Sequence, residues 1–137
     1  VKFENARSAI FSRLNTFMTA TYPTVPALYE NRFNVDLSTQ RGPFVAAEIT
    51  YVDGQQVSLE LKPVVRYHAA VHLTVWVKEG TGSAEALGIL AALADLFKTV
   101  TFSGVNARAP QPLPRRNTQG WAVYAVRVPF YFDDIPA

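Results

Sequence analysis

Val65-Arg-Tyr-His-Ala-Ala-Val-His-Leu-Thr-Val-Trp-Val77 alternates between apolar and polar residues over thirteen positions. Tyr67, Ala69, Val71, Leu73, Val75 and Val77 fall on one face of a strand, and Arg66, His68, His72 and Thr74 on the other. A period of two is the signature of a strand with one buried face. This strand therefore needs a layer above it, and the segments on either side are read as its strand partners and its cover. Its length predicts a bend or a bulge.

Two neighbouring segments alternate in the same way. In Phe44 to Val52, residues Val45, Ala47, Ile49 and Tyr51 share a face, and Glu48 and Thr50 point away. In Gln55 to Leu61, Val57, Leu59 and Leu61 share a face. Asp53-Gly54 between them is a hairpin signal. Parity favours a three-residue loop, Val52-Asp53-Gly54, pairing Ile49 with Val57 and Ala47 with Leu59. Gly54 would then take the left-handed position. Trp121 to Phe132 is a further strand, with Ala122, Tyr124, Val126, Val128, Phe130 and Phe132 on one face. Pro129 lacks a ladder donor, which predicts an edge or a bulge there. Short strands are expected around Tyr29-Glu30-Asn31 and over Val105 to Ala109. Residues 36–43 and 110–120 read as loops, the second because of its three prolines.

The cover comes from two helices. Phe3 to Thr21 carries Phe3, Ala6, Ile10, Leu14 and Phe17 at spacings of three and four, with Pro23 and Pro26 to stop it. The second helix runs from Ser83, its N-cap, to Lys98. Its expected buried stripe is Leu87, Leu90, Ala91, Ala94 and Phe97. The fold class is α+β: one domain over 1–137, an antiparallel or mixed β-sheet with two helices packed on one face.

Composition narrows the function classes. The 137 residues are 49% hydrophobic and 18% charged, which excludes a disordered chain. There is no cysteine, so disulfides, thiolate metal sites and cysteine nucleophiles are excluded. The apolar runs are too short to span a bilayer, the N-terminus lacks a signal pattern, and no membrane partner is expected. A net charge of +2 does not itself imply a nucleic-acid partner.

The candidate chemistry is thin. His68 and His72 share a strand face but stand about 13 Å apart, too far for one metal. Glu48 and Glu60 would be diagonal neighbours on the predicted hairpin, the spacing of a glycosidase pair, but on a wet face and without a cleft. Gly80-Thr81-Gly82 precedes a helix as a phosphate loop would, yet Glu85 occupies the position of the third glycine. No nucleophile motif is present. The expectation is no enzyme, no catalytic residue, no cofactor and no metal. Surface residues remain. Arg115 and Arg116, with Arg108 nearby, form a basic cluster suited to acidic partners. Trp76 and Trp121 lie opposite the apolar rows of their strands, as aromatics of a subunit interface would, or those of a second small cluster.

Several short features recur in one order: the first helix ending at Pro23, Tyr29-Glu30-Asn31, and Arg41-Gly42-Pro43-Phe44 at the start of a strand. Then come Val75-Trp76-Val77 leading through Gly80 and Gly82 into an alanine-rich helix ending Asp95-Leu96-Phe97, and finally Gly120-Trp121 opening a strand with Val128-Pro129-Phe130. In this order the chain resembles the phage tail terminator family, the minor tail protein U-like proteins of long-tailed phages. The resemblance implies a virion structural protein at the head-proximal end of the tail, assembled in the host cytoplasm. It implies a homo-oligomeric ring, usually a hexamer, that caps the tail tube, stops its polymerisation and meets the head-completion or neck protein. Phage DNA would pass through the bore without sequence-specific binding. Such a ring uses heterologous interfaces, to which Arg115, Arg116, Trp76, Trp121 and Arg108 are assigned, with the loops 36–43 and 110–120. Two alternatives stay open: a neck or connector-completion protein, and a small hydrolase or ligand-binding domain using Glu48, Glu60, His68 and His72.

Overall fold

A computed structural model describes residues 2–29 and 42–135. Two helices and seven strands follow in the order α1 (Phe3–Thr21), β1 (Ala27–Tyr29), β2 (Phe44–Gln56), β3 (Val65–Lys78), α2 (Ala84–Phe97), β4 (Thr101–Phe102), β5 (Val105–Ala107), β6 (Gln111–Thr118) and β7 (Trp121–Asp134). The strands form a mixed, curled sheet in the order β1-β2-β3-β7-β5-β4, with β6 also paired to β7. Among the described strands only the β1–β2 pair is parallel. Strand β3 sits at the centre as its alternation requires, paired along its full length with β7 from Val65–Asp134 to Lys78–Trp121.

Both helices cover one face. Ile10, Leu14 and Met18 of α1 and Ile89, Leu93 and Phe97 of α2 pack into one core with Val71, Leu73, Val75, Val126 and Phe132. None of the described polar or charged residues is buried, so the layer is held by apolar burial and shape. The N–H of Lys2 donates to Asn5 Oδ1 at 3.1 Å, which closes the first turn of α1. The chain leaves α1 where Tyr22 N–H bonds Met18 C=O at 2.9 Å, just before Pro23.

Several expectations need correction. The buried stripe of α2 is Ala86, Ile89, Leu93 and Phe97. Of the expected stripe, Phe97 is buried and Leu90 and Ala94 are partly buried against the core, but Ala91 is exposed and Leu87 is 49% exposed. Apolar residues surround this helix almost completely, so periodicity alone does not choose its inner side. Phe3 is 43% exposed, while Phe11 and Met18 are buried in its place. Ser83 precedes α2 as expected, but its side chain makes no capping bond.

The predicted hairpin at Asp53-Gly54 does not form. Strand β2 continues to Gln56, and the register to β3 shifts between Tyr51 and Asp53. This bulge adds one residue, so the parity of 45–51 does not carry into 53–56. Ile49 pairs with Val71 and Ala47 with Leu73. The true tip spans 57–64, closed by Val57 N–H to Val64 C=O at 2.9 Å and Val64 N–H to Ser58 Oγ at 2.9 Å. Gly54 is not among the glycines of positive φ. It faces Tyr67, whose Cε1 lies 2.8 Å from where a Cβ would stand. The expected bulge of the long strand thus falls in β2.

Residues 110–120 are likewise no loop. Gln111–Thr118 is strand β6, and Gln119 (φ 50°) and Gly120 (φ 82°) make the two-residue turn into Trp121. Pro112 and Pro114 are tolerated because β6 pairs only β7 among the described strands and its register shifts between Leu113 and Arg116. Pro129 lies inside central β7, opposite Ala70. Its C=O accepts Arg108 N–H at 2.8 Å. Its missing donor points the same way, into the gap between β5, which ends opposite Phe130, and β6, which begins opposite Arg127. At the first short strand, β1 ends at Tyr29; Glu30, Asn31 and Arg41, with most of the loop 36–43, lie outside the described residues.

Candidate functional site

The sheet face away from the helices carries most of the residues singled out above, Arg115 and Glu60 excepted, and no helix among the described residues covers it. Even positions of β2 as far as Thr50 and odd ones beyond its bulge, even positions of β3 and odd positions of β7 point there. Along it the registers stack Phe44–Trp76–Val123, then Ala46–Thr74–Ala125, then Glu48–His72–Arg127, and beyond them His68–Tyr131 and Arg66–Asp133. The face runs from an aromatic end to a charged end.

At the aromatic end Phe44 stacks on Trp76 at 5.3 Å and meets Trp121 edge-on at 5.2 Å. Trp121 is 1% exposed and Trp76 half-buried. The two tryptophans therefore form the second small cluster, and Trp121 is no free interface residue. Trp76 Nε1 donates to Thr74 Oγ1 at 3.0 Å, which satisfies its polar edge. Phe44 is the member that sequence reading left out, because Arg41-Gly42-Pro43 marked it only as a strand start.

The arginines do not form one cluster. Arg116 lies over the Trp76 ring at 5.7 Å, on the open face. Its neighbour Arg115 points to the opposite side and lines a cleft of about 470 Å³ with Lys78, Gly80, Ser83, Asn117 and Tyr124. A strand sends consecutive side chains to opposite faces, and the expected loop would not. Arg108 sits beside Pro129, six positions along β7 from Val123, the partner of Arg116, or about 20 Å away. There it covers Tyr131 at 5.1 Å, together with Arg66 at 4.5 Å.

At the charged end Arg66 holds Asp133 by two bonds, Nε to Oδ1 at 2.8 Å and Nη2 to Oδ2 at 3.1 Å. These bonds keep the Asp133 carboxyl below its ordinary range and raise the Arg66 guanidinium. His72 is held below the usual imidazole value, first by partial burial and then by Arg127; Glu48 opposes the shift. Glu48 and Glu60 are not neighbours: Glu48 pairs with His72, and Glu60 lies on the exposed tip. Among the described residues no three His, Asp or Glu side chains converge as metal ligands. No helix among them is long and apolar enough to cross a membrane.

No family model and no curated protein matches the chain. Solved structures do. One, which carries no functional description, aligns with a TM-score of 0.73 at 16% identity, over 100% of this chain and 99% of its own. Another is a chain of the virion of a native gene transfer agent particle, with a TM-score of 0.55 at 14% identity, over 93% of this chain and 94% of its own. At these identities the likeness is one of fold.

Proposed function

We propose that the protein is a non-catalytic structural component of a phage-like virion, and within that class a ring-forming tail terminator. The observation that carries the class is the whole-chain likeness to a component of the gene transfer agent virion. The finer reading rests on the element order described from the sequence, and the surfaces fit it. An α+β domain whose helices cover one side of a sheet keeps the other side for contacts. Here that side bears Arg66, Lys78, Arg108, Arg116 and Arg127 against Glu48, Asp53 and Asp133, a surface of net positive charge suited to acidic protein partners or to passing DNA backbone.

In this reading subunits close into a ring by heterologous contacts. The ring seats on the last tube layer, ends polymerisation and offers its other side to the neck protein. Native mass spectrometry over a concentration series, with electron microscopy of the protein alone and with tail tubes, tests it. Closed rings sitting at one end of each tube are expected. A strict monomer that leaves the tubes bare would overturn the ring; rings that bind the neck protein and ignore tubes would move the protein to the connector.

A further inference from the structure

Two separate features of the molecule are apolar and exposed. The first is the β2–β3 tip. Leu59 and Leu61 are 99% and 105% exposed, and Val57 beside them is 43% exposed. Isolated exposed leucines are ordinary, but a projecting tip with three apolar residues at alternate positions is a knob without a socket. The second is a groove of about 490 Å³ between α2 and β6, walled by Leu87, Leu90, Ala91, Ala94, Pro110 and Pro112. It exists because the buried stripe of α2 runs through Ile89 and Leu93, which leaves Leu87 and Ala91 outside.

The tip cannot fill the groove of its own chain. The tip follows Gln56–Val65, whereas the groove floor is Val126, which pairs with Leu73, eight residues farther along β3. That is about 26 Å. Charge also matches between copies: Glu60 sits between the two tip leucines, and Lys98 stands at the groove rim, with Asp95 one turn before it and Lys62 following the tip leucines. We infer that the β2–β3 tip of one copy docks into the α2–β6 groove of the next, Leu59 and Leu61 entering between Leu87, Ala91 and Pro112, and Glu60 meeting Lys98. The occupant is a second copy of this chain. Because knob and socket are different surfaces, the contact is heterologous, and it propagates until it closes or runs on as a filament. It rests on the self-association in the proposed function and names the surface responsible.

The chain has no cysteine, which makes the test direct. Leu61→Cys and Ala91→Cys are prepared as separate proteins, both at exposed positions, with Ser8→Cys on the outside of α1 as control. Under mild oxidation, Leu61→Cys mixed with Ala91→Cys should give a cross-linked dimer. Leu61→Cys with Ser8→Cys, and each variant alone, should give little. Equal cross-linking of Leu61→Cys with itself would overturn the inference in favour of a tip-to-tip contact. An absent mixed dimer, with wild type still oligomeric by sedimentation, would overturn this contact and leave the ring standing. A wild type that is monomeric throughout would overturn both. In parallel, Glu60→Lys and Lys98→Glu should each weaken self-association by roughly tenfold, and the double variant should recover most of it. Two losses without recovery would remove the charge pairing.

Discussion

The two faces of the sheet are built on different principles. Under the helices, Leu73, Val71, Val75, Val105 and Phe132 are almost wholly buried and no described polar side chain is enclosed. On the other face, each row is half-exposed or held by a specific partner: tryptophan by phenylalanine, tyrosine by two guanidiniums, aspartate by arginine. The first face carries stability through area. The second fixes a pattern of rings and charges in register; its exposed charges contribute little to folding, while its enclosed members Phe44, Trp121 and Val123 carry area as the core does. The difference teaches where each kind of substitution will register.

The comparison should break first at Trp121, which lies on the open face but is 1% exposed. Trp121→Ala is expected to destabilise by about 3–5 kcal/mol, as much as a core change, whereas half-buried Trp76→Ala should cost clearly less. Equal losses in urea denaturation would mean that both rings are enclosed alike. Leu73→Ala, in the helix-covered layer, should cost about 2–5 kcal/mol. Its neighbour Thr74, on the other face, donates to Ala46 C=O at 3.3 Å and accepts from Trp76 Nε1 at 3.0 Å, and Thr74→Ala should cost about 1–2 kcal/mol. Similar values at 73 and 74 would erase the distinction. Gly54→Ala should destabilise by about 1 kcal/mol, because a Cβ pushes Tyr67 against Phe3 and Phe132. The loss should shrink when Tyr67 is first changed to Ala, since no left-handed φ is involved.

Smaller effects separate the adjacent arginines. Arg116→Glu should lower stability by about 0.5–1 kcal/mol through its lost position over Trp76, while Arg115→Glu should leave the melting temperature unchanged. If only Arg115→Glu impairs assembly, partners approach from the α2 side; if only Arg116→Glu does, from the open face. The smallest effect is the pH dependence. Asp133 and His72 both titrate below their ordinary values in the folded chain. As pH falls, the unfolded chain therefore takes each proton first, and stability must decline with acidification. The His72 part is fully present above about pH 6.5 and is lost on descent toward its lower folded value. The Asp133 part is lost only below the ordinary carboxylate range. Melting curves of His72→Gln should be flatter just below pH 6.5, and those of Asp133→Asn flatter only at strongly acid pH. A wild type that gains stability on acidification would contradict both directions.

What could be read from the residues follows from how strictly each segment obeys a period. Strand β3 was legible because fourteen positions pair without interruption and one face is apolar throughout. The β2 turn was not, since a bulge at Tyr51–Asp53 leaves the composition untouched and reverses the parity after it. Strand β6 was hidden by Pro112 and Pro114, which an edge tolerates, and with it the separation of Arg115 from Arg116. The α2 stripe was legible at Phe97 but not at Leu87 and Ala91, which are as apolar as the buried Ile89 and Leu93. Those exposed residues are also what opens the groove. The open-face ladder was half visible: the even positions of β3 stood out as polar, while Tyr131, Arg127 and Asp133 gained meaning only once β7 was laid beside them.

The placement of β7 has a further consequence, for how the molecule comes into being. This strand is central, joined to β3, β5 and β6, yet it follows all of them in the chain. Its longest ladder unites positions as distant as Val65 and Asp134. Contacts of that separation make folding slow, on the order of milliseconds to seconds. During synthesis β3 emerges well before its main partner and presents an unpaired apolar edge in the interval. The nascent chain must therefore wait with the helices over the β2–β3 pair and the β7 edge of β3 still open, and its yield in the cell will depend on how that interval is protected.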